Sequence, residues 1–281
     1  MVLKVGLGVS TYNGNWRVEE LLSSIRQHTE YPKENYRIVV IDDGSREDYL
    51  IALRETCKRF DVPLREHRQN LGISATWNHL TRFFGESEER AEYNILINDD
   101  IVCTDYWLTS LMYFLENNKC GTAGLPLLFG SPHDDKATIM RPDQGDKNVN
   151  AGPDVTSIKP GRVMAAPGCL FGFKRSLFDE IGGFDEHYKS FYEEVDFGTE
   201  CAKRGYPSYA MSWPRVWHMW GATFAANPEL EASKRMSESR AYYIQKWGGD
   251  HTATNPRYMS QIPPQIVKWY TPFGLLEGTD I

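Results

Sequence analysis

Two stretches, YRIVVIDDGS over residues 36–45 and YNILINDD over residues 93–100, share one pattern: a β-branched and aliphatic run that ends in adjacent acids. Residues 2–9 open the chain in the same way and lead into Ser10-Thr11-Tyr12-Asn13-Gly14. Between these runs Val18, Leu21, Leu22 and Ile25 recur at helical spacing, and residues 48–60 and 74–84 read as two further helices. Short apolar strands separated by amphipathic helices predict an α/β fold with a mostly parallel, Rossmann-like central sheet flanked by helices on both faces. In such sheets ligands bind beyond the carboxyl ends of the strands. The polar clusters at residues 10–13, 42–45 and 98–100 are therefore expected to meet at one rim.

The remainder of the chain adds a short strand at 63–66, a helix at 106–117, a strand at 121–128 and strand-then-helix patterning from residue 161. Residues 130–160 are rich in Asp, Pro, Gly and Asn and read as loops and weak hairpins, placed to act as a lid. From residue 221 the chain is polar and helical in places, notably over 233–247, while Pro263-Pro264 and Pro272 break the last segment. The division expected is a domain over 1–220 and a helical or irregular extension over 221–281 that packs on it. Tyr242, Tyr243, Trp247, Trp269 and Tyr270 read as packing residues of that extension.

Composition removes several classes. A formal net charge of −7 argues against broad binding to nucleic acid or an anionic membrane. The five cysteines contain no C-x-x-C pair and sit in apolar segments, so buried, reduced thiols of a cytoplasmic protein are expected rather than a zinc ribbon or disulfide scaffold. No apolar run has the length of a membrane span, and the N-terminus lacks the basic and apolar regions of a signal peptide.

The polar clusters carry the chemistry. Asp99 and Asp100 repel each other unless a cation lies between or beside them, and a hard dication such as Mg²⁺ or Mn²⁺ takes carboxylate ligands together with phosphate oxygens and water. The alternative for both acids is a turn or helix cap. Asp42-Asp43-Gly44-Ser45 has the same two readings: a turn, or an acceptor for a base N–H or a ribose hydroxyl. In FYEEVDFGTECAKRGY, Phe191, Val195, Phe197 and Cys201 form an apolar helix face and Gly205 a stop. Ser190 and Glu193 have capping-box spacing. Glu194 has no such role and sits near Asp196 in the first turn, where it suits either the helix dipole or general-base work. His218, between Trp217 and Trp220, is a core residue unless it faces Asp100.

Taken in order, VSTYNG, VVIDDGS, NLGISATWN, NDD, EIGGFDEHYKSFYEEVDFGTECAKRGY and the late WH resemble the motifs of the inverting, nucleotide-sugar-dependent glycosyltransferases of GT-A fold, family two. The likeness runs from about residue 2 to 220. It implies a nucleotide-binding half over 1–100 and an acceptor half over 101–220. It implies that Ser10 and Tyr12 contact the nucleotide, that Asp43 binds the base with Asp42 in support, and that Arg68, Asn70 and Gly72 pass the donor. Asp99 would reach the ribose, Asp100 would hold Mn²⁺ or Mg²⁺ with His218, and Glu194 would be the base, with Asp196 in reserve. A UDP or dTDP sugar is the expected donor. The acceptor would be a glycan, a protein side chain or another hydroxyl, with the acidic balance leaning away from DNA. Two other classes stay open on the residues alone: a nucleotidyltransferase, and a sugar-nucleotide or carbohydrate-binding protein without turnover.

Overall fold

The computed structural model of the protein describes residues 4–86, 90–130, 132, 138–139 and 159–280. Strands β1 (Val5–Thr11), β2 (Tyr36–Asp42), β3 (Leu64–Glu66) and β4 (Tyr93–Asn98) lie parallel in the order β3-β2-β1-β4. Helices α1 (Asn15–His28), α2 (Glu47–Arg59) and α3 (Ile73–Glu86) connect them. The local sequence of β1, VGLGVST, explains how it is covered. Val5, Leu7 and Val9 pack with Val18, Leu21 and Ile25 of α1 on one face. Gly6 and Gly8 point to the other face and admit α3, since a Cβ on Gly6 would lie 2.4 Å from the Phe84 ring. On that second face Trp77, Leu80 and Phe84 join Phe171, Phe173, Phe184 and Phe197 in an aromatic core.

The second half comprises β5 (Ile101–Val102), α4 (Trp107–Asn117), β6 (Ala123–Gly124), β7 (Leu127–Phe129), β8 (Thr138–Ile139), β9 (Gly161–Val163), β10 (Leu170–Lys174), α5 (Arg175–Ile181), α6 (Glu193–Lys203), β11 (Ser208–Ala210) and β12 (Val216–His218). The central sheet extends through β10, β6, β11 and β9 to eight strands. It is mixed, because β10 runs antiparallel between β4 and β6. That direction brings the start of β10 to the end of β4, where Asn98 donates its backbone N–H to the Cys169 carbonyl at 2.8 Å. The strand expected over 121–128 is two strands. Leu125-Pro126 breaks it, β6 stays in the central sheet, and β7 joins a second sheet ordered β5-β12-β7-β8. A proline cannot donate to a ladder, and only the Pro126 carbonyl is used, by Val216 N–H at 3.0 Å.

Beyond residue 220 lie α7 (Ala222–Ala226), α8 (Ala232–Trp247), α9 (His251–Met259) and an antiparallel hairpin of β13 (Ile266–Thr271) and β14 (Gly274–Thr279). The hairpin departs from the helical or irregular ending expected. Pro272 is its turn residue rather than a break, and Val267 and Trp269 alternate inward to the main core. Asp280 is buried beyond it, 2.7 Å from Arg162 Nε, and also accepts from the Tyr209 hydroxyl. The extension is tied to α6 by Asp196, whose carboxylate accepts from Tyr188 at 3.2 Å, Lys246 at 2.8 Å and Trp247 at 2.7 Å. Tyr243, fully buried, meets Thr199 at 2.7 Å, and Asn255 donates to the Met164 carbonyl at 2.9 Å.

All five cysteines are free and buried. Burial pushes the Cys57 and Cys120 thiols up to about 12, so neither supplies a thiolate at neutral pH. No helix among the described residues is long and apolar enough to cross a membrane. The lid expected over 130–160 falls largely outside the described residues.

Replacing Asp196 by Asn keeps its volume but removes the charge that three donors share. The expected loss is about 1–3 kcal/mol of stability, read as a lower denaturation midpoint with an unchanged slope in urea.

Candidate active site

One cavity of about 790 Å³ opens at the carboxyl rim of β1, β2 and β4. Ser10, Tyr12, Asp43, Asn70, Gly72, Asp99, Asp100, Glu194 and His218 line it, and Asp42, Arg68 and Asp196 do not. Arg68 is exposed outside it. Asp42 is occupied in the turn it begins: it accepts from the backbone N–H of Gly44 at 3.0 Å and Ser45 at 2.8 Å and from the Ser45 hydroxyl. Asp196 turns to the extension, and the oxygens that would be needed for a reserve base are taken by Tyr188, Lys246 and Trp247.

Asp43 lines the cavity and organises the loop beyond it. Its Oδ1 accepts from Leu71 N–H and its Oδ2 from Gly72 N–H, both at 2.9 Å. His67 Nδ1 lies 2.9 Å from Oδ1, and His67 Nε2 lies 2.8 Å from His79 Nδ1. With Asp43 ionised, His67 donates to it and accepts from His79, which sets both tautomers. Gly72 has φ +96°, and a Cβ there would fall 2.8 Å from the Lys189 backbone, so this position requires glycine twice over. The close approach seats the Lys189 segment, which leads into α6, against the loop between β3 and α3.

Asp99 is 3% exposed and is gripped from two sides. Arg17 of α1, itself 2% exposed, places Nε 3.1 Å from Oδ1 and Nη2 3.1 Å from Oδ2. The Thr11 hydroxyl donates to Oδ2 at 2.6 Å. Burial raises the Asp99 carboxyl to about 6 against the pull of Arg17, with Asp100 adding to the rise. Arg17 Nη2 also reaches the Thr223 hydroxyl at 3.2 Å, and Asn13 donates to Asn227 at 2.6 Å, so the extension is tied to this side as well.

Asp100 and His218 face each other. Nε2 lies 3.3 Å from Oδ1, close but not aligned as a hydrogen bond, and the ring also neighbours the Cys169 thiol. A carboxylate oxygen and an imidazole nitrogen left in this way form a pair of donors for a hard or borderline dication. Among the described residues no group of three or more His, Cys, Asp or Glu could hold a metal ion unaided. A cation at this pair would complete its shell with oxygens from outside the protein.

Glu193 and Glu194 begin α6. The capping box expected from Ser190 and Glu193 is not formed, because Ser190 Oγ donates to the Lys189 carbonyl at 2.7 Å. The chain turns into the helix through two consecutive left-handed residues, Phe191 at φ 67° and Tyr192 at φ 72°. Such non-glycine residues cost about 1–3 kcal/mol each and persist only where packing over-determines them. Here Phe191 stacks on Phe224 at 5.0 Å, and the Tyr192 hydroxyl meets His251 at 3.2 Å. The turn points both glutamates into the cavity, where Oε2 of each lacks a hydrogen-bond partner. Burial raises both carboxyls, and Glu194 raises Glu193 further. Gly168 makes the room: a Cβ there would lie 3.0 Å from the Glu194 carboxyl. Arg17, Thr11, His67 and Gly168 carried no sequence signal, because their partners are distant in the chain.

An α/β fold with acids at the β4 end facing acids at a helix start across one cavity defines a glycosyltransferase of GT-A type. The chain belongs to glycosyl transferase family 2, whose family model matches residues 7–182. It is 30% identical over 129 residues, 46% of its length, to the UDP-forming cellulose synthase catalytic subunit of Pseudomonas fluorescens, and covers 16% of that protein. Solved structures share the fold. Mannosyltransferase PcManGT from Pyrobaculum calidifontis, in complex with GDP-Man and Mn²⁺, matches 93% of this chain and 73% of its own, at 18% identity and TM-score 0.63. GalNAc-T7 with UDP, GalNAc and Mn²⁺ matches 77% and 44%, at 17% identity and TM-score 0.58. S. aureus TarS in complex with UDP-GlcNAc matches 76% and 58%, at 15% identity and TM-score 0.56.

Arg17→Met leaves Asp99 buried without its cation, a loss of about 3–5 kcal/mol. A carboxyl whose folded pKa lies above its unfolded value loses stability as pH rises through the folded value. The Met variant is therefore expected to lose more at pH 8 than at pH 5, measured by urea unfolding at both.

The Gly168→Ala methyl displaces the Glu194 carboxylate. The variant is expected to lose less than about 1.5 kcal/mol of stability, read as a slightly lower midpoint in urea.

Proposed function

We propose that the protein transfers a sugar from a nucleoside-diphosphate sugar to an acceptor hydroxyl with inversion at the anomeric carbon, using a divalent cation. The observation that carries this reading is that the Asp100–His218 pair and Glu194 line one and the same cavity. The base of the donor stacks on Tyr12 and meets Asp43, with Ser10, Asn70 and Gly72 beside it. Asp99, oriented by Arg17 and Thr11, accepts from the ribose. Asp100 and His218 would hold Mn²⁺ or Mg²⁺ against the diphosphate, where the ion supplies charge neutralisation for the leaving group. Glu194 takes the proton of the acceptor hydroxyl as it attacks from the face opposite the leaving group, and a single displacement inverts the centre. Asp196 is not carried forward as base, since its oxygens already hold the extension.

The structures matched contain both UDP-linked and GDP-linked donors. A thermal-shift screen of UDP, dTDP and GDP with Mn²⁺ identifies the base, because ligand binding raises the melting temperature by mass action. Five buried free thiols support a cytoplasmic site of action. Family membership weighs against the nucleotidyltransferase reading, and assays of donor turnover separate an enzyme from a binding protein.

Glu194→Gln is expected to lower transfer by about 10²–10⁴-fold while leaving the nucleoside diphosphate thermal shift in place. In the unmodified protein burial raises Glu194, and the base works deprotonated. Activity should therefore fall on the acid side with an apparent pKa above the ordinary value of about 4.3. Full activity retained by the Gln variant would remove Glu194 from the mechanism.

A further inference from the structure

The cavity wall beyond the Asp100 and His218 pair is aromatic and open. Trp220 lines the cavity and is 74% exposed, with Phe129 edge-on to it at 6.3 Å and 85°. A tryptophan left this exposed carries a large apolar face that nothing among the described residues covers. Its position follows from the topology. The rim runs from Asp43 at β2, across β1, to Asp99 and Asp100 at β4, and on to β5 and its partner β12. Trp220 follows β12 by two residues. A donor with its base at Asp43 and its diphosphate at Asp100 leaves this wall to the second substrate.

Two buried acceptors in the same cavity ask for donors. Glu193 Oε2 and Glu194 Oε2 have no hydrogen-bond partner, and Glu193 is 9% exposed. An unmet buried acceptor costs about 1–3 kcal/mol, and an ionised carboxylate can be satisfied only by O–H or N–H groups. A ligand that meets both demands has one apolar face and hydroxyls around its edge, which describes a pyranose ring. Its C–H face suits the negative face of an indole, and adjacent hydroxyls suit adjacent carboxylates.

We propose that Trp220, backed by Phe129, and Glu193 beside Glu194 form the acceptor subsite, and that the acceptor is a pyranose-containing glycan. Glu194 receives the proton of the attacking hydroxyl, and Glu193 accepts a hydrogen bond from its neighbour on the ring. The inference rests on the glycosyl-transfer reading above. A nucleic acid base could also stack on Trp220. Among the described residues the lining, however, holds Asp43, Asp100, Glu193 and Glu194, beside an Asp99 paired with Arg17, against the fixed cations Lys189 and Arg235, and this balance disfavours a polyanion. A peptide side chain lacks the hydroxyl rim.

The test is retention of the labelled full chain on a printed array of glycans, single-stranded oligodeoxynucleotides and Ser/Thr peptides. It is run with Mn²⁺ and the nucleoside diphosphate that gives the largest thermal shift. The expected result is retention on a set of pyranose glycans, weakened about tenfold or more in Trp220→Ala, largely restored in Trp220→Phe, and weakened in Glu193→Gln. Equal retention by Trp220→Ala overturns the proposal, as does retention on oligodeoxynucleotides or peptides alone, or on nothing. The thermal shift is read in every variant. Its loss in the unmodified chain would instead overturn the glycosyl-transfer reading.

Discussion

A guanidinium and a carboxylate, each almost wholly withdrawn from water, fix the β4 wall of the site. Arg17 and Asp99 meet through two contacts of 3.1 Å at the point where β1, β4 and α1 converge. Burying either charge alone is costly, so each requires the other. The pair fixes the start of α1 and the end of β4 together, and with them the direction in which Asp100 leaves the sheet. Asp99 already accepts three hydrogen bonds, from Arg17 and Thr11, whereas its neighbour Asp100 is left with an unmet oxygen. Two adjacent acids thus take different roles from their surroundings.

The opposite wall is held by packing. Tyr192, in the N-cap position of α6, offers it no side-chain cap, and the entry through Phe191 and Tyr192 is strained. The extension holds that strain in place: α7 places Phe224 on Phe191, α9 places His251 on Tyr192, and α8 clamps Asp196 through Lys246 and Trp247. The same extension reaches the β1–α1 side through Thr223, which meets Arg17, and Asn227, which meets Asn13. It contributes Arg235 and Met236 to the cavity itself. The segment after residue 220 is a structural part of the site that the first 220 residues begin.

What the sequence disclosed was whatever repeats over a few residues. Strand runs ending in acids, the helical spacing of α1 to α3, and the polar clusters at the sheet rim are all local patterns, and the elements fall within a few residues of their expected bounds. Relations between distant positions were hidden. Arg17 gives no sign of its partner 82 residues away. Ser190 and Glu193 had capping spacing, but the chain between them turns left-handed and carries the serine elsewhere. Pro126 breaks the strand expected to run unbroken over 121–128, whereas Pro272 looked like an ending and proved to be the corner of a hairpin. Asp196 could not be separated from Glu194 as a base without knowing which side of α6 the extension covers.

The antiparallel pairing of β10 has a consequence for how chains of this kind can vary in length. Leu170 and Gly172 face the α1 and α4 side, while Phe171 and Phe173 enter the aromatic core on the other. Because successive strand residues alternate between faces, one inserted residue in 167–169 has two outcomes. If the strand slips, both phenylalanines are expelled from their core. If the strand holds, the insertion pushes Gly168 off the Glu194 carboxylate. The four residues Pro167-Gly168-Cys169-Leu170 thus act as a ruler between the sheet and the Glu194 carboxyl.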